Sequence, residues 1–107
     1  MRKIYVCAPL GEDMAANLEK AKLYARYVLL CGAAPVVPHF YALVVDEERP
    51  DERQKAIDAG LSLLWLCDET WAFGREITPG MREEIRFCKS LNIPVRYVKN
   101  ASLEENM

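Results

Sequence analysis

The sequence predicts an α/β fold in which helices cover both faces of a parallel β-sheet. Short apolar runs with β-branched and aromatic residues alternate with longer segments of helical periodicity. Proline and glycine residues separate these segments, and there is neither an internal repeat nor a linker. The 107 residues suffice for one modest hydrophobic core. The order of elements is therefore βαβαβαβ, and right-handed crossovers between parallel strands place helices on both faces of the sheet.

Four segments are predicted to be strands. Each is short, and proline or glycine marks most of their ends. The predicted strands are Lys3–Ala8, Ala34–Val37, Glu69–Phe73 and Ile93–Val98. Pro94 lies near the beginning of the last strand, which indicates a first-residue or edge position because proline cannot donate to a neighbouring strand.

Three helices are predicted between the strands. The first spans Asp13–Cys31, the second runs from Pro50 or Asp51 to about Cys67, and the third runs from Pro79 to about Leu91. Asp13 and Thr78 are suited to cap helix N-termini, and Gly32 is suited to the left-handed conformation after the first helix. The charged run 46–53 is interpreted as a solvated loop and helix start, where acidic residues favour the helix dipole.

Composition limits the class of protein. Hydrophobic residues make up 51% and charged residues 28%, as in ordinary globular domains. The net charge of −2 argues against nucleic-acid binding, which normally needs a basic surplus. We find no apolar run of membrane-spanning length and no signal-peptide pattern, so we expect a cytoplasmic protein without a membrane partner. We expect one domain over residues 1–99 and a short polar tail over residues 100–107.

The pattern of metal-binding residue types predicts neither a metal site nor a cofactor. The four cysteines form no C-x-x-C pair, and all lie in or at the end of apolar segments. His39, the single histidine of the sequence, is distant from each of them. A G-x-G-x-x-G fingerprint for a dinucleotide is also missing.

The predicted topology indicates where a ligand would bind. Strand order 2-1-3-4 is a reduced flavodoxin-like, Rossmann-type sheet, and ligands of such sheets bind beyond the carboxyl ends of the strands where the order reverses. That rule selects the loop after the first strand, the residues after Val37, the segment Phe73–Arg75 and the start of the third helix. The candidate binding residues are Ala8, Pro9, Leu10, Gly11, Arg75, Gly80 and Met81.

Glu84 is the most informative residue of the third helix. It shares one face with Met81, Ile85 and Cys88, so its carboxyl group points inward near the predicted cleft. A buried carboxylate is costly without partners. Helix amides, Tyr5 or an arginine would satisfy it in a structural role, whereas a desolvated carboxylate in a cleft would act as a nucleophile or general acid/base. Periodicity leaves both interpretations open.

Several motifs together resemble the nucleoside 2-deoxyribosyltransferase-like superfamily. They are Ile4-Tyr5-Val6-Cys7-Ala8, Cys67-Asp68 before a strand, Gly80-Met81-Arg82-Glu83-Glu84-Ile85, and Asn92-Ile93-Pro94-Val95. Pro38-His39, Cys67-Asp68-Glu69 and Gly80-Met81 with Glu84-Ile85 look like a small bacterial and phage branch of that superfamily, of unsettled function. The landmarks span nearly the whole chain.

This resemblance implies roles for individual residues. Glu84 corresponds to the nucleophile, which attacks the anomeric carbon of a nucleoside, and Tyr5 to a tyrosine beside it. The loop Ala8–Gly11 corresponds to the segment that contacts the sugar or a 5′-phosphate, and the first helix's N-terminus is suited to an anion.

The sequence also departs from the superfamily pattern. Thr78 and Gly60 stand where the transferases carry aspartates that hold the sugar and help protonate the leaving base. We consider His39 as the general acid in their place, against the alternative that it anchors its loop. Arg75 is considered as a phosphate contact, against the alternative of a solvated side chain.

Two functions from different classes follow. The first is a nucleoside or nucleotide N-glycosidase or deoxyribosyltransferase, and the second is a non-catalytic nucleotide-binding or regulatory module that uses the same cleft. A phosphoacceptor receiver domain shares the topology but needs an acidic pair after the first strand, where Ala8-Pro9-Leu10 stands. On the first helix, Val28 and Leu29 belong to the apolar positions expected to face the core, and Leu23, Tyr24, Tyr27 and Leu30 add apolar surface beyond them. The second helix likewise offers more apolar surface than one sheet can cover. We therefore predict a homodimer or higher homo-oligomer whose interface is built from these two helices. In the superfamily, neighbouring subunits lend residues to the site.

Overall fold

The computed structural model describes residues 1–99 and contains one four-stranded parallel sheet in the order β2-β1-β3-β4. The strands are β1 Lys3–Cys7, β2 Ala34–Val36, β3 Glu69–Phe73 and β4 Val95–Val98. Tyr5 of β1 lies opposite Val36 on one side and Thr70 on the other. The predicted fold class and strand order are confirmed. The predicted tail over residues 100–107 lies outside the described residues.

Three α-helices connect the strands: α1 Met14–Leu30, α2 Pro50–Ser62 and α3 Pro79–Ser90. The Asp13 side chain accepts a hydrogen bond from the Ala16 N–H at 3.3 Å, and the Thr78 hydroxyl accepts one from the Met81 N–H at 3.2 Å. Gly32, after α1, has a φ of +83°. Both predicted caps and the predicted left-handed glycine are therefore present.

Three segments differ from the sequence prediction. Residues Pro38–Leu43, expected as loop, form a 3₁₀ helix that begins where Pro38 presets the backbone. The second helix is α-helical only to Ser62 and then tightens into a 3₁₀ turn over Leu63–Leu66. This turn ends at Cys67, whose extended backbone leads the chain toward β3. In addition, β4 begins at Val95, because Pro94 has no N–H to donate.

Side chains alternate between two cores on opposite faces of the sheet. Ile4, Val6, Trp71 and Phe73 face α1, whereas Tyr5, Cys7 and Ala72 face α3 and the segment after α2. Two side chains expected to add surface beyond the core, Tyr24 and Tyr27, are instead buried, and the Tyr24 ring stacks on Phe73 with centroids 4.5 Å apart. Leu29, expected in the core, is 59% exposed. The face of α1 that packs on the sheet therefore differs from the predicted one, because the rings of Tyr24 and Tyr27 fill the space over β3.

Candidate functional site

A cleft of about 1000 Å³ opens at the carboxyl end of β1, where the strand order reverses. Its walls come from the loop after β1, the 3₁₀ helix Pro38–Leu43, α2 and the first turns of α3. This is the position that the topology predicts for a ligand. Sheet order, rather than any local motif, therefore determines where the cleft lies.

Most of the predicted site residues line this cleft. They are Tyr5, Ala8, Pro9, Leu10, Gly11, His39, Gly80, Met81 and Glu84. Arg75 does not: it follows β3 after Gly74, its side chain is exposed, and it is not part of the cleft wall. The φ of Gly74 is +104°, a conformation that turns the chain sharply before Arg75. The structure therefore gives no support to a phosphate contact by Arg75, and the solvated alternative describes this side chain.

The Glu84 carboxylate is held by two donors from β1. The Tyr5 hydroxyl donates to Glu84 Oε2 at 2.5 Å, and the Cys7 thiol donates to Oε1 at 3.6 Å. Tyr5 is 1% exposed and Cys7 is fully buried, whereas Glu84 is half-buried at the cleft wall. The carboxylate therefore has the partners that the structural alternative requires and the position in the cleft that the catalytic alternative requires.

Burial has the largest influence on the pKa of the Glu84 carboxyl group. It raises the pKa of Glu84, while the hydrogen bonds from Tyr5 and Cys7 stabilise the charged form and oppose that rise. Burial also raises the pKa of Tyr5 and of Cys7, and the neighbouring Glu84 charge raises both further. The phenol and the thiol therefore stay protonated and act as donors, and the carboxylate is the group of this trio that changes charge in the usual pH range.

His39 anchors the loop after β1. Its Nε2 lies 3.1 Å from the Ala8 carbonyl oxygen and 3.3 Å from that of Pro9, and because both are acceptors, Nε2 is assigned the proton. The other ring nitrogen, Nδ1, is buried and has no hydrogen-bond partner within the described chain. Burial lowers the pKa of His39 despite the two backbone bonds. Because the ring is neutral and its N–H already donates to backbone carbonyl groups, the geometry supports the interpretation of His39 as a loop anchor and not as a general acid.

The two positions that lack the superfamily's aspartates have local structural reasons for their residues. Thr78 uses its hydroxyl to cap α3. At Gly60, a Cβ would lie 3.0 Å from Pro38 Cβ and 3.9 Å from the Tyr5 hydroxyl, so α2 packs closely against the 3₁₀ helix there. Asp58, two residues before Gly60 and on a different face of α2, is exposed and accepts a hydrogen bond from Gln54. No carboxylate replaces the missing pair at these positions.

Sequence reasoning missed several residues of the site. Four more residues line the cleft: Asn17, Tyr41, Arg53 and Ile57. In addition, the Cys7 thiol donates a hydrogen bond to Glu84 from β1. Tyr41 lies within the region after Val37 that the topology selected, and Cys7 was detectable because it shares a strand face with Tyr5. The α2 residues carried no signal, because only the packing of α2 on the 3₁₀ helix brings them to the cleft.

The fold and the cleft define a flavodoxin-like α/β protein. It carries a half-buried carboxylate, Glu84, in the cleft where the strand order reverses. Residues 2–98 match the model of a family described as a domain of unknown function (DUF7768), and the chain belongs to that family. No curated protein matches the chain.

Among solved structures, the chain is similar to the 2-deoxyribosyltransferase of the psychrotolerant bacterium Bacillus psychrosaccharolyticus. The TM-score is 0.72 at 17% identity, and the match covers 98% of this chain and 82% of that one. At this identity the likeness establishes a shared fold, so the predicted relation is confirmed at that level, while the small bacterial and phage branch stays a prediction. Within residues 1–99, no helix has both the length and the apolarity needed to cross a bilayer.

Proposed function

We propose that this protein is a nucleoside or nucleotide N-glycosidase, or a deoxyribosyltransferase, with Glu84 as its nucleophile. One observation carries the proposal: a carboxylate at the wall of the main cleft is fixed by a 2.5 Å hydrogen bond from a buried tyrosine. A cleft of about 1000 Å³ at the switch point is large enough for a nucleoside-sized ligand. The shared fold with a 2-deoxyribosyltransferase supports the same chemistry.

The proposed reaction uses the carboxylate twice. An oxygen of ionised Glu84 attacks the anomeric carbon, the bond from that carbon to the base nitrogen breaks, and the base leaves with the electron pair and takes a proton from solvent water. The sugar then remains as an ester of Glu84. Attack by water releases the free sugar, whereas attack by a second base forms a new nucleoside, and either step regenerates the carboxylate with retention of configuration.

The loop after β1 is proposed to bind the sugar. Its carbonyl groups at Ala8 and Pro9 are fixed by His39, and the Asn17 side chain donates to the Leu10 carbonyl at 3.2 Å. These bonds hold the loop beside Glu84 without a ligand, which lowers the cost of ordering it on binding. Gly80 and Met81 complete the wall next to the nucleophile.

A non-catalytic module that binds nucleotides in the same cleft is the second candidate. Two observations favour it. His39 is neutral and its N–H is already hydrogen-bonded, and Thr78 and Gly60 carry no carboxylate, so no residue is assigned to protonate the departing base. The two candidates differ in whether Glu84 forms a covalent bond.

Incubation with a panel of nucleosides and 5′-nucleotides, followed by chromatography for free base, separates the candidates. Base release by the native protein that is abolished in Glu84→Gln supports the enzyme. Glu83→Gln is the matched control, since Glu83 also lines the cleft but is paired with Arg86 at 2.8 Å on the exposed side. Binding without base release that survives in Glu84→Gln supports the module.

We also propose that the protein is a homo-oligomer, most simply a two-fold dimer. Large apolar side chains are exposed on or directly after two helices: Leu23, Leu29, Leu30, Ile57, Trp65 and Leu66. Because α1 and α2 pack on opposite faces of the sheet, these groups form separate surfaces rather than one. Light scattering at micromolar concentration tests the proposal, and Leu29→Arg and Trp65→Arg report which surface associates. A single-chain mass that does not change on concentration rejects it.

A further inference from the structure

Cys7 is a buried thiol that the proposed reaction leaves without a role. It is fully buried on β1, two residues after Tyr5 and on the same sheet face. Its sulfur lies 3.6 Å from Glu84 Oε1 and 3.9 Å from the Met81 carbonyl oxygen. A thiol has one proton, so it can donate to only one of these acceptors at a time, and the carboxylate oxygen is the closer acceptor and the stronger one when Glu84 is ionised.

The surroundings of Cys7 exclude the usual roles of a cysteine. The four cysteines of the described chain are free, so Cys7 is not part of a disulfide there. Burial and the neighbouring Glu84 charge raise its pKa, and a protonated thiol is neither a nucleophile nor a metal ligand. What remains is the S–H group itself, which acts as a hydrogen-bond donor directed at the candidate nucleophile.

We propose that Cys7 is a positioning residue, whose thiol holds Glu84 Oε1 while Tyr5 holds Oε2. This inference rests on the proposed function for its consequence in catalysis. Two donors on different oxygens restrict the rotation of the carboxylate about its terminal bond more than the Tyr5 donor does alone. A nucleophile with a fixed orientation loses less entropy on reaching the anomeric carbon.

The titratable groups nearest the Glu84 carboxylate come from several elements. Tyr5 and Cys7 donate to it from β1, and the Glu84 charge acts on Cys88, one turn further along α3. His39 lines the same cleft from the 3₁₀ helix. The remaining charged groups of the cleft wall are Glu12, Glu47, Arg53, Glu76 and Glu83. None of the latter is hydrogen-bonded to the Glu84 carboxylate within residues 1–99, so removal of Cys7 leaves Tyr5 as its side-chain donor.

Infrared spectroscopy of the S–H stretch tests the hydrogen bond without any assay of activity. The Cys7 band is identified by its loss in Cys7→Ala. We expect it at a lower frequency than the bands of the other cysteines, with a shift to higher frequency in Glu84→Gln because the charged acceptor is gone. A Cys7 band that does not move in Glu84→Gln overturns the proposal.

Kinetics test the consequence for the reaction. In Cys7→Ala we expect kcat for base release to fall by roughly 3- to 10-fold, the effect of one weak hydrogen bond, with KM changed by less than about twofold. Loss of the donor makes Glu84 harder to ionise, so the acidic limb of the pH profile moves to higher pH. Cys7→Ser, which keeps a donor, should show a smaller shift of that limb than Cys7→Ala.

Cys67→Ala is the matched control, because Cys67 is a buried thiol of the same core whose sulfur donates to the Leu63 carbonyl instead. An equal loss of kcat in Cys67→Ala and Cys7→Ala, or a pH profile unchanged in Cys7→Ala, overturns the positioning role. If the native protein releases no base, the proposed function fails, whereas the S–H band still decides whether Cys7 holds Glu84.

Discussion

Tyr5→Phe isolates the hydrogen bond that holds the candidate nucleophile. The hydroxyl donates to Glu84 Oε2 at 2.5 Å, and the ring is 1% exposed, so phenylalanine fills the same space without the donor. A hydrogen bond to a charged group contributes about 1.5–3 kcal/mol, and one between neutral groups about 0.5–1.5 kcal/mol. The cost of the substitution should therefore depend on whether Glu84 is ionised.

The direction with pH follows from the raised pKa of Glu84 in the folded protein. A carboxyl group whose pKa is higher in the folded protein than in the unfolded chain stabilises the fold below its unfolded pKa. This contribution is lost as the pH rises through its folded pKa. Tyr5→Phe removes a bond that favours the charged form, so the folded pKa rises further. We expect the free energy of unfolding to fall by about 0.5–1.5 kcal/mol near pH 4 and by about 1.5–3 kcal/mol near pH 8.

Urea unfolding of four proteins at both pH values measures this difference. The native chain, Tyr5→Phe, Glu84→Gln and the double variant form a cycle. In the Glu84→Gln background the acceptor is neutral, so the cost of Tyr5→Phe should be the same at both pH values. A cost in the native background that does not grow with pH would refute the argument that Tyr5 stabilises the charged carboxylate.

Three further predictions concern stability. Glu84→Gln should match the native protein near pH 4 and exceed its free energy of unfolding near pH 8, as urea titrations at the two pH values would show. The excess should be about 1.4 kcal/mol for each pH unit by which folding raises the pKa of Glu84. Gly60→Ala should lack the stabilisation of about 1 kcal/mol that alanine gives an open helix, because its Cβ would lie 3.0 Å from Pro38 Cβ. Gly80→Ala, with no atom within 4 Å of its Cβ, is the control, and a greater gain at Gly60 than at Gly80 in thermal unfolding would contradict the packing argument. Thr78→Ala should cost about 1 kcal/mol through loss of the α3 cap, and Thr78→Ser should restore most of it.

The sequence by itself determined the elements and their order. Proline, glycine and capping residues mark the ends of helices, and the interactions that form these ends are local, as the Asp13 and Thr78 caps demonstrate. The alternation of strands and helices predicted a parallel sheet with helices on both faces, and the flavodoxin-like order 2-1-3-4 expected for such a sheet located the edge where the cleft opens. The inward face of Glu84 followed from helical periodicity alone.

Tertiary structure decided how the side chains meet. Periodicity could not show that Cys7 reaches Glu84 Oε1, because that contact joins residues 77 positions apart, and the geometry depends on how α3 packs on β1. It could not show that the His39 Nε2–H donates to two backbone carbonyl groups. Nor could it show that a close contact with Pro38 leaves no room for a side chain at Gly60. These features arise from distances between elements, which a one-dimensional pattern does not contain.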